Sequence, residues 1–285
     1  MDFRQEYVVL FNTLQVRYYG IIIVAAMLAG AAVAARLARR DGRDPDHVWG
    51  ALTWAIIPAI VGARLWHVLF PSAAQVEMGL TTEYYFNNFF NLENGAIAIW
   101  SGGLSVFGAV LGGLLGVWLY FSRWHNTIAR AFFFLTIPFI YLFSAVGWVF
   151  RTLWSVARRK PRPAFKPDTT FKSDFPDAGM NILPWLDIAG VSVPLAQAIG
   201  RWANFINQEL YGPPTTLPWG IPIQAANRIA PYQSLVDYPT STLFHPLFLY
   251  ESLWSLLAFI VLLQVFTRYR SRLRPGDIFL FYVMQ

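Results

Sequence analysis

Residues able to do chemistry stand out in this chain because so much around them is apolar. Arg201 lies inside an apolar block. An ionisable side chain there costs at least ~2.5–3.5 kcal/mol to insert into a membrane, so its presence asks for a function or a partner. A helix over 195–208 would put Gln197, Arg201, Asn204 and Gln208 at offsets of 0, 4, 7 and 11 on one face. A guanidinium cannot deprotonate and its planar fork bonds two oxygens at once, which suits a phosphate. The same charge could instead pair with Glu209 or Glu251 and pin two helices together.

Two further clusters recur at the ends of apolar blocks. His245, Tyr250 and Glu251 open the block that follows a proline-rich stretch, while Arg64 and His67 close an earlier one. Histidine titrates near neutral pH and can take a proton from a nucleophile, although an interfacial histidine also serves as a hydrogen-bonded anchor. Tyr18 and Tyr19 suit an interfacial aromatic belt. The chain has no cysteine, which excludes a disulfide, a thiolate metal site and a cysteine nucleophile of its own. Any thiol chemistry must use a partner's thiol, and no cofactor or metal is expected.

The elements that must hold these groups are transmembrane helices. Hydrophobic residues make up 56% of the 285 residues, charged ones only 13%, and mean hydropathy is +0.42. The apolar residues gather in blocks of about 20, the length that crosses ~30 Å of hydrocarbon. The expected fold is an all-α polytopic membrane protein, a single integral membrane domain over 1–285. It has about five full transmembrane helices, an extra apolar element at 131–157 and a shortened last helix. The blocks run from about Tyr18 to Ala35, His47 to Phe70, Ala96 to Phe121, Leu183 to Ile206 and Pro246 to Phe266. In the third, Gly108, Gly112 and Gly116 form a small-residue stripe that lets another helix approach.

The net charge of +6 reflects arginines flanking the blocks, so no nucleic-acid partner is expected. Arg36, Arg39, Arg40 and Arg43 follow the first block; Arg268, Arg270, Arg272 and Arg274 follow the one ending at Phe266. These mark the cytoplasmic side and put the N-terminus, where Asp2 and Glu6 balance Arg4 and Arg17, outside. Segments 71–95 and 207–244 are then extracytoplasmic, and the polar loop 158–181 cytoplasmic. The stretch 131–157, interrupted by Pro138, is flanked on both sides by basic residues, so charge favours no simple crossing. A re-entrant or interfacial element, or a helical hairpin, fits.

The run GRWANFINQELYG at 200–212 resembles the signature G-R-x-G-N-F-x-N-x-E-x-x-G of the bacterial prolipoprotein diacylglyceryl transferases. Five other segments fit in order: RYYG (17–20), GARLWHV (62–68), SGGLSVFGAVLGG (101–113), LPWGIPI (217–223) and HPLFLYE (245–251). The resemblance implies a multi-pass enzyme of the bacterial cytoplasmic (inner) membrane, its active site toward the outer leaflet. Its partners would be phosphatidylglycerol, prelipoprotein signal peptides with a lipobox cysteine, and membrane lipids. It would move the diacylglyceryl group onto the cysteine thiol and release glycerol phosphate. Residue by residue, Arg201 would bind the headgroup, with Arg64, Gly102, Gly103 and Gly212 also at the substrate. Tyr19, Asn204, Glu209, His245, Glu251 and Tyr282 would form the catalytic set.

Three departures from the family pattern stand out. Ala203 replaces the signature's second glycine. Phe107 takes a place where many members carry His or Tyr. The pattern after the tyrosine matching Tyr282 continues with an arginine four residues on, and this sequence stops at Gln285, so a truncated enzyme is expected. The alternative is a lipid-binding or transport protein in which Arg201 recognises a headgroup without chemistry.

Overall fold

The computed structural model describes residues 7–10, 14–99, 102–158, 161, 163–173 and 175–284. The predicted charges at Asp2, Arg4, Glu6, Arg159, Lys160 and Arg162, and the terminal Gln285, lie outside the described residues. The chain forms two compact units, residues 1–49 with 182–285, and residues 50–181.

In the first unit, a short hairpin of β1 (Tyr7–Leu10) and β2 (Leu14–Arg17) leads into α1 (Tyr18–Arg40). That helix runs one turn past the expected Ala35, because the alanine-rich pattern continues and Arg39 and Arg40 favour the negative end of the helix dipole. It packs on α7 (Leu183–Ile206), which also packs on α8 (Leu247–Tyr269) and α9 (Asp277–Val283). Small side chains set the closeness: Ala26, Ala31, Ala34 and Ala38 are buried along α1, and Gly30 faces Ala196 and the Ser192 carbonyl. Between α7 and α8 the chain forms a small sheet, β3 (Pro214–Thr215), β4 (Ile221–Pro222) and β5 (Leu243–Phe244), with β5 central and both pairings antiparallel. Buried Tyr211, Ile223 and Phe244 core this segment. Arg228 ties it together by donating to the carbonyls of Ile223, Tyr238 and Pro239.

Most of α2 (Asp46–Leu69) belongs to the second unit, followed by the short α3 (Ala73–Glu77) and α4 (Thr82–Asn87), then α5 (Val106–Phe121) and α6 (His125–Ala157). The glycine stripe works as expected. A Cβ at Gly108 would strike the Gly62 carbonyl, one at Gly112 the Pro58 carbonyl and one at Gly116 the Trp54 carbonyl, so α5 rests directly on the α2 backbone. Pro58 has no N–H to offer Trp54 four residues back, and Gly116 packs against that freed carbonyl.

Several expectations need correcting. The third block is helical only from Val106; Gly102 and Gly103 take positive φ, which keeps them out of the helix that follows. Pro138 does not break the 131–157 stretch, which is one continuous helix, so a helical hairpin is ruled out. By length and composition, α1, α2, α6 and the stretch Leu247–Arg272 are each able to cross a membrane; α5 is a shorter apolar helix.

Candidate functional site

The polar end of α7 and the start of α8 bring together most of the predicted residues. Nε of Arg201 and Oε2 of Glu251 lie 2.8 Å apart across the two helices, with side chains 38% and 43% exposed. The pair is close but not a straight hydrogen bond, and Oε2 is itself shielded from water. One turn along α7, Asn204 donates to Glu209 at 3.2 Å, and Asn207 donates to its other oxygen at 3.0 Å. The carboxylate of Glu209 is therefore held by two amides, while Arg201 takes Glu251.

The expected four-residue stripe loses its last member. α7 ends at Ile206, and Gln208 adopts a positive φ of 55° in the turn that follows. Its side chain is buried and accepts a hydrogen bond from the Gln224 amide at 2.7 Å. Gln208 thus closes the following loop, because the helix stops before it could reach the Arg201 face.

On α8, the Tyr250 hydroxyl sits between Nε1 of Trp219, 2.8 Å away, and Nδ1 of His245, 3.0 Å away. Indole is only a donor, so Tyr250 accepts from Trp219. The close approach of Gly212 fixes His245: the Gly212 N–H donates to the His245 carbonyl at 2.8 Å, and a Cβ would sit 3.0 Å from the His245 Cβ. Only glycine allows that pairing without displacement. Tyr282 on α9 accepts from Gln197 at 3.1 Å. Tyr19 stands half-buried in the first turn of α1.

Sequence reasoning did not single out Asp187, fully buried in α7. It accepts from Arg270 and from the backbone N–H groups of Gly276, Ile278 and Phe279. The carboxylate holds the start of α9 and so places Tyr282. A carboxylate inside an apolar block was the available signal. Arg270 also meets Asp41, which accepts from Arg43. Burial would raise the Asp41 pKa, but the hydrogen bonds and charges of Arg270 and Arg43 outweigh it and hold the carboxyl below its ordinary value.

Arg64, Gly102 and Gly103 belong to the second unit. Arg64 is 6% exposed and donates to the carbonyls of Gly95, Ala96, Gly102 and Gly103. Its charge thereby shapes the glycine-rich loop from inside. Gly103, at φ +65°, leaves no room for a Cβ beside Arg64 and His67. His67 is engaged by Gln75 at 2.8 Å and Tyr85 at 3.2 Å. Among the described residues no group of three His, Cys, Asp or Glu could hold a metal.

The model of the family described as prolipoprotein diacylglyceryl transferase matches residues 6–150 and 171–285. A relative named phosphatidylglycerol--prolipoprotein diacylglyceryl transferase from Chloroflexus aggregans is 32% identical over 94% of this chain and 68% of its own length. One of the same name from Gloeobacter violaceus is 32% identical over 94% and 72%. Another from Prochlorococcus marinus subsp. pastoris is 28% identical over 95% and 72%.

Proposed function

The chain belongs to the prolipoprotein diacylglyceryl transferase family, and from that membership we propose how its residues carry the reaction. The protein is a membrane transferase of lipoprotein biosynthesis, moving diacylglyceryl from phosphatidylglycerol to a prolipoprotein. On our reading the acceptor is the lipobox cysteine thiol, in keeping with a chain that has no cysteine. The enzyme sits in the bacterial inner membrane and the reaction takes place toward the outer leaflet.

The half-exposed Arg201–Glu251 pair carries this reading. A guanidinium held by one carboxylate edge keeps other N–H donors for an incoming phosphate, and the proximity of Glu251 fixes its direction. In the transfer the acceptor's sulfur gives up its proton and bonds to the lipid's glycerol carbon. The bond from that carbon to the phosphate oxygen breaks, and its electron pair departs with glycerol phosphate. Arg201 stabilises the charge that grows on the leaving phosphate. His245 is the proton acceptor we favour: with Nδ1–H donating to Tyr250, Nε2 presents a free lone pair. Asn204 and Glu209 shape the floor beside Arg201, Gly212 holds His245, and Tyr19 and Tyr282 line the substrate cavity. Arg64, Gly102 and Gly103 serve the substrate through the loop they build.

Arg201→Lys tests the reading, because it keeps the charge and loses the planar fork. Losing one charge-assisted hydrogen bond costs roughly 1.5–3 kcal/mol, about a tenfold to hundredfold drop in rate if the contact tightens as phosphate leaves. The assay is transfer of labelled diacylglyceryl from phosphatidylglycerol to a lipobox peptide, per folded protein. Near-normal turnover would return Arg201 to pinning α7 on α8.

A further inference from the structure

The segment after α6 turns back along that same helix. The Pro163 carbonyl accepts from Trp148 Nε1 at 2.7 Å, Phe165 packs on Trp148 and Tyr141, and Phe171 on Phe133. Arg130 lies over Phe171, and Asn126 donates to the Phe175 carbonyl at 2.9 Å. Phe175 then stacks on His125, and the Met180 N–H donates to the Phe121 carbonyl at 2.8 Å. At Gly179, with φ +76°, a Cβ would lie 2.7 Å from that carbonyl, so glycine lets the returning chain close against its starting point. The helix and its strap form one excursion that begins and ends together.

Two properties decide where such an excursion can lie. The strap is extended, and among the described residues no backbone–backbone hydrogen bond is made by 163–173; Lys166, Asp168 and Lys172 along it are exposed. Side chains meet only some of the strap's peptide groups, the Pro163 carbonyl and the Thr170 N–H among them; the rest, and these charges, need water and cannot sit in hydrocarbon. The opposite property belongs to the far face of α6. Counting 3.6 residues per turn, the strap contacts at Asn126, Arg130, Phe133, Tyr141 and Trp148 lie about 180° from Phe132, Leu135, Phe139, Leu142, Phe143 and Phe150. All six of these are exposed apolar side chains. A helix crossing the bilayer would carry the strap across with it.

We propose that α6 lies along the bilayer surface, its Phe- and Leu-rich face among the acyl chains and its strap on the water side, against a leaflet rich in anionic lipid. Charge selects that lipid: in the sequence from 123 to 181, nine Lys and Arg residues outnumber the three acidic ones, Asp168, Asp174 and Asp177. Such a helix binds through buried apolar area together with attraction to acidic headgroups.

These 285 residues hold no cysteine, so single spin labels can be placed in this chain, reconstituted in phosphatidylcholine vesicles with or without phosphatidylglycerol. Labels at Leu135, Leu142 and Leu153 are expected at one common shallow depth, about 5–10 Å below the headgroups, while a label at Thr170 meets a water-soluble relaxation agent freely. Phe150 is a second site on the same face should one label disturb folding. A depth profile peaking at Leu142, with Leu135 and Leu153 shallower, means a crossing helix and overturns the proposal. Shielding of Leu142 from both oxygen and water means a protein partner, a second copy included, and overturns it too. Removing phosphatidylglycerol should make the Leu142 label measurably shallower; an unchanged depth overturns the choice of anionic lipid.

Discussion

Arg201 and Arg64 show how one side chain type serves two ends. Arg201 meets a carboxylate at a half-open surface, whereas Arg64 is buried and faces four backbone carbonyls. A carboxylate can yield its place to a phosphate; carbonyls fixed in a loop give way only if the loop unfolds. Arg64→Lys should therefore act first on stability. A lysine cannot span the same carbonyls, and one buried acceptor left bare costs about 1–3 kcal/mol. Thermal unfolding in detergent should show the loss, and an unchanged midpoint would leave Arg64 free for a direct role at the substrate. The sequence displayed both arginines in apolar surroundings but not which partners they meet, since those lie 31 to 50 residues away.

Among the elements, α2 and α5 owe their contact to the absence of side chains. Gly112→Ala would push a methyl into the Pro58 carbonyl, and overpacking of this kind costs about 1–3 kcal/mol. Gly113→Ala meets only the Ala59 Cβ at 3.7 Å, an ordinary contact, and alanine favours a helix by about 0.8–1.0 kcal/mol over glycine. The expected result is a destabilised Gly112→Ala protein beside a Gly113→Ala protein at least as stable as the parent. Equal behaviour of the two would mean that the helices do not meet there. A similar dependence on one residue governs α9, whose first N–H groups are satisfied by Asp187 from another helix.

For the whole molecule, the arginine clusters make a statement about orientation. We propose that 207–244 lies outside the membrane and 36–46 and 267–275 inside. Cysteines placed singly at Thr215 and Ser271 separate the two sides: an impermeant maleimide on intact cells should label the first and spare the second. The reverse pattern would invert the topology. The network of Asp41, Arg43, Arg270 and Asp187 adds a dependence on pH. Because Asp41 is more acidic in the folded protein, its stabilisation is fully present above its ordinary pKa of 3.8 and fades as pH falls through the lower folded value. The midpoint gap between the parent and Asp41→Asn should thus be open at neutral pH and close below about 3.8. A gap that persists at the lowest pH would show that the Asp41 charge contributes nothing.

Hydropathy, the arginine flanks and the motif around Arg201 gave away the helical membrane class and the family from sequence alone, because insertion into lipid penalises every misplaced charge and so writes the spans into composition. The glycine stripe was equally legible, since its four-residue period is a local property of one helix. Partner choice was not. Whether Arg201 took Glu209 or Glu251, where α7 stopped and released Gln208, and how Pro163, Phe165 and Phe171 came back onto α6 all depend on distances between residues far apart in the chain. Local spacing puts side chains on a face, but the packing of one helix on another decides what that face meets.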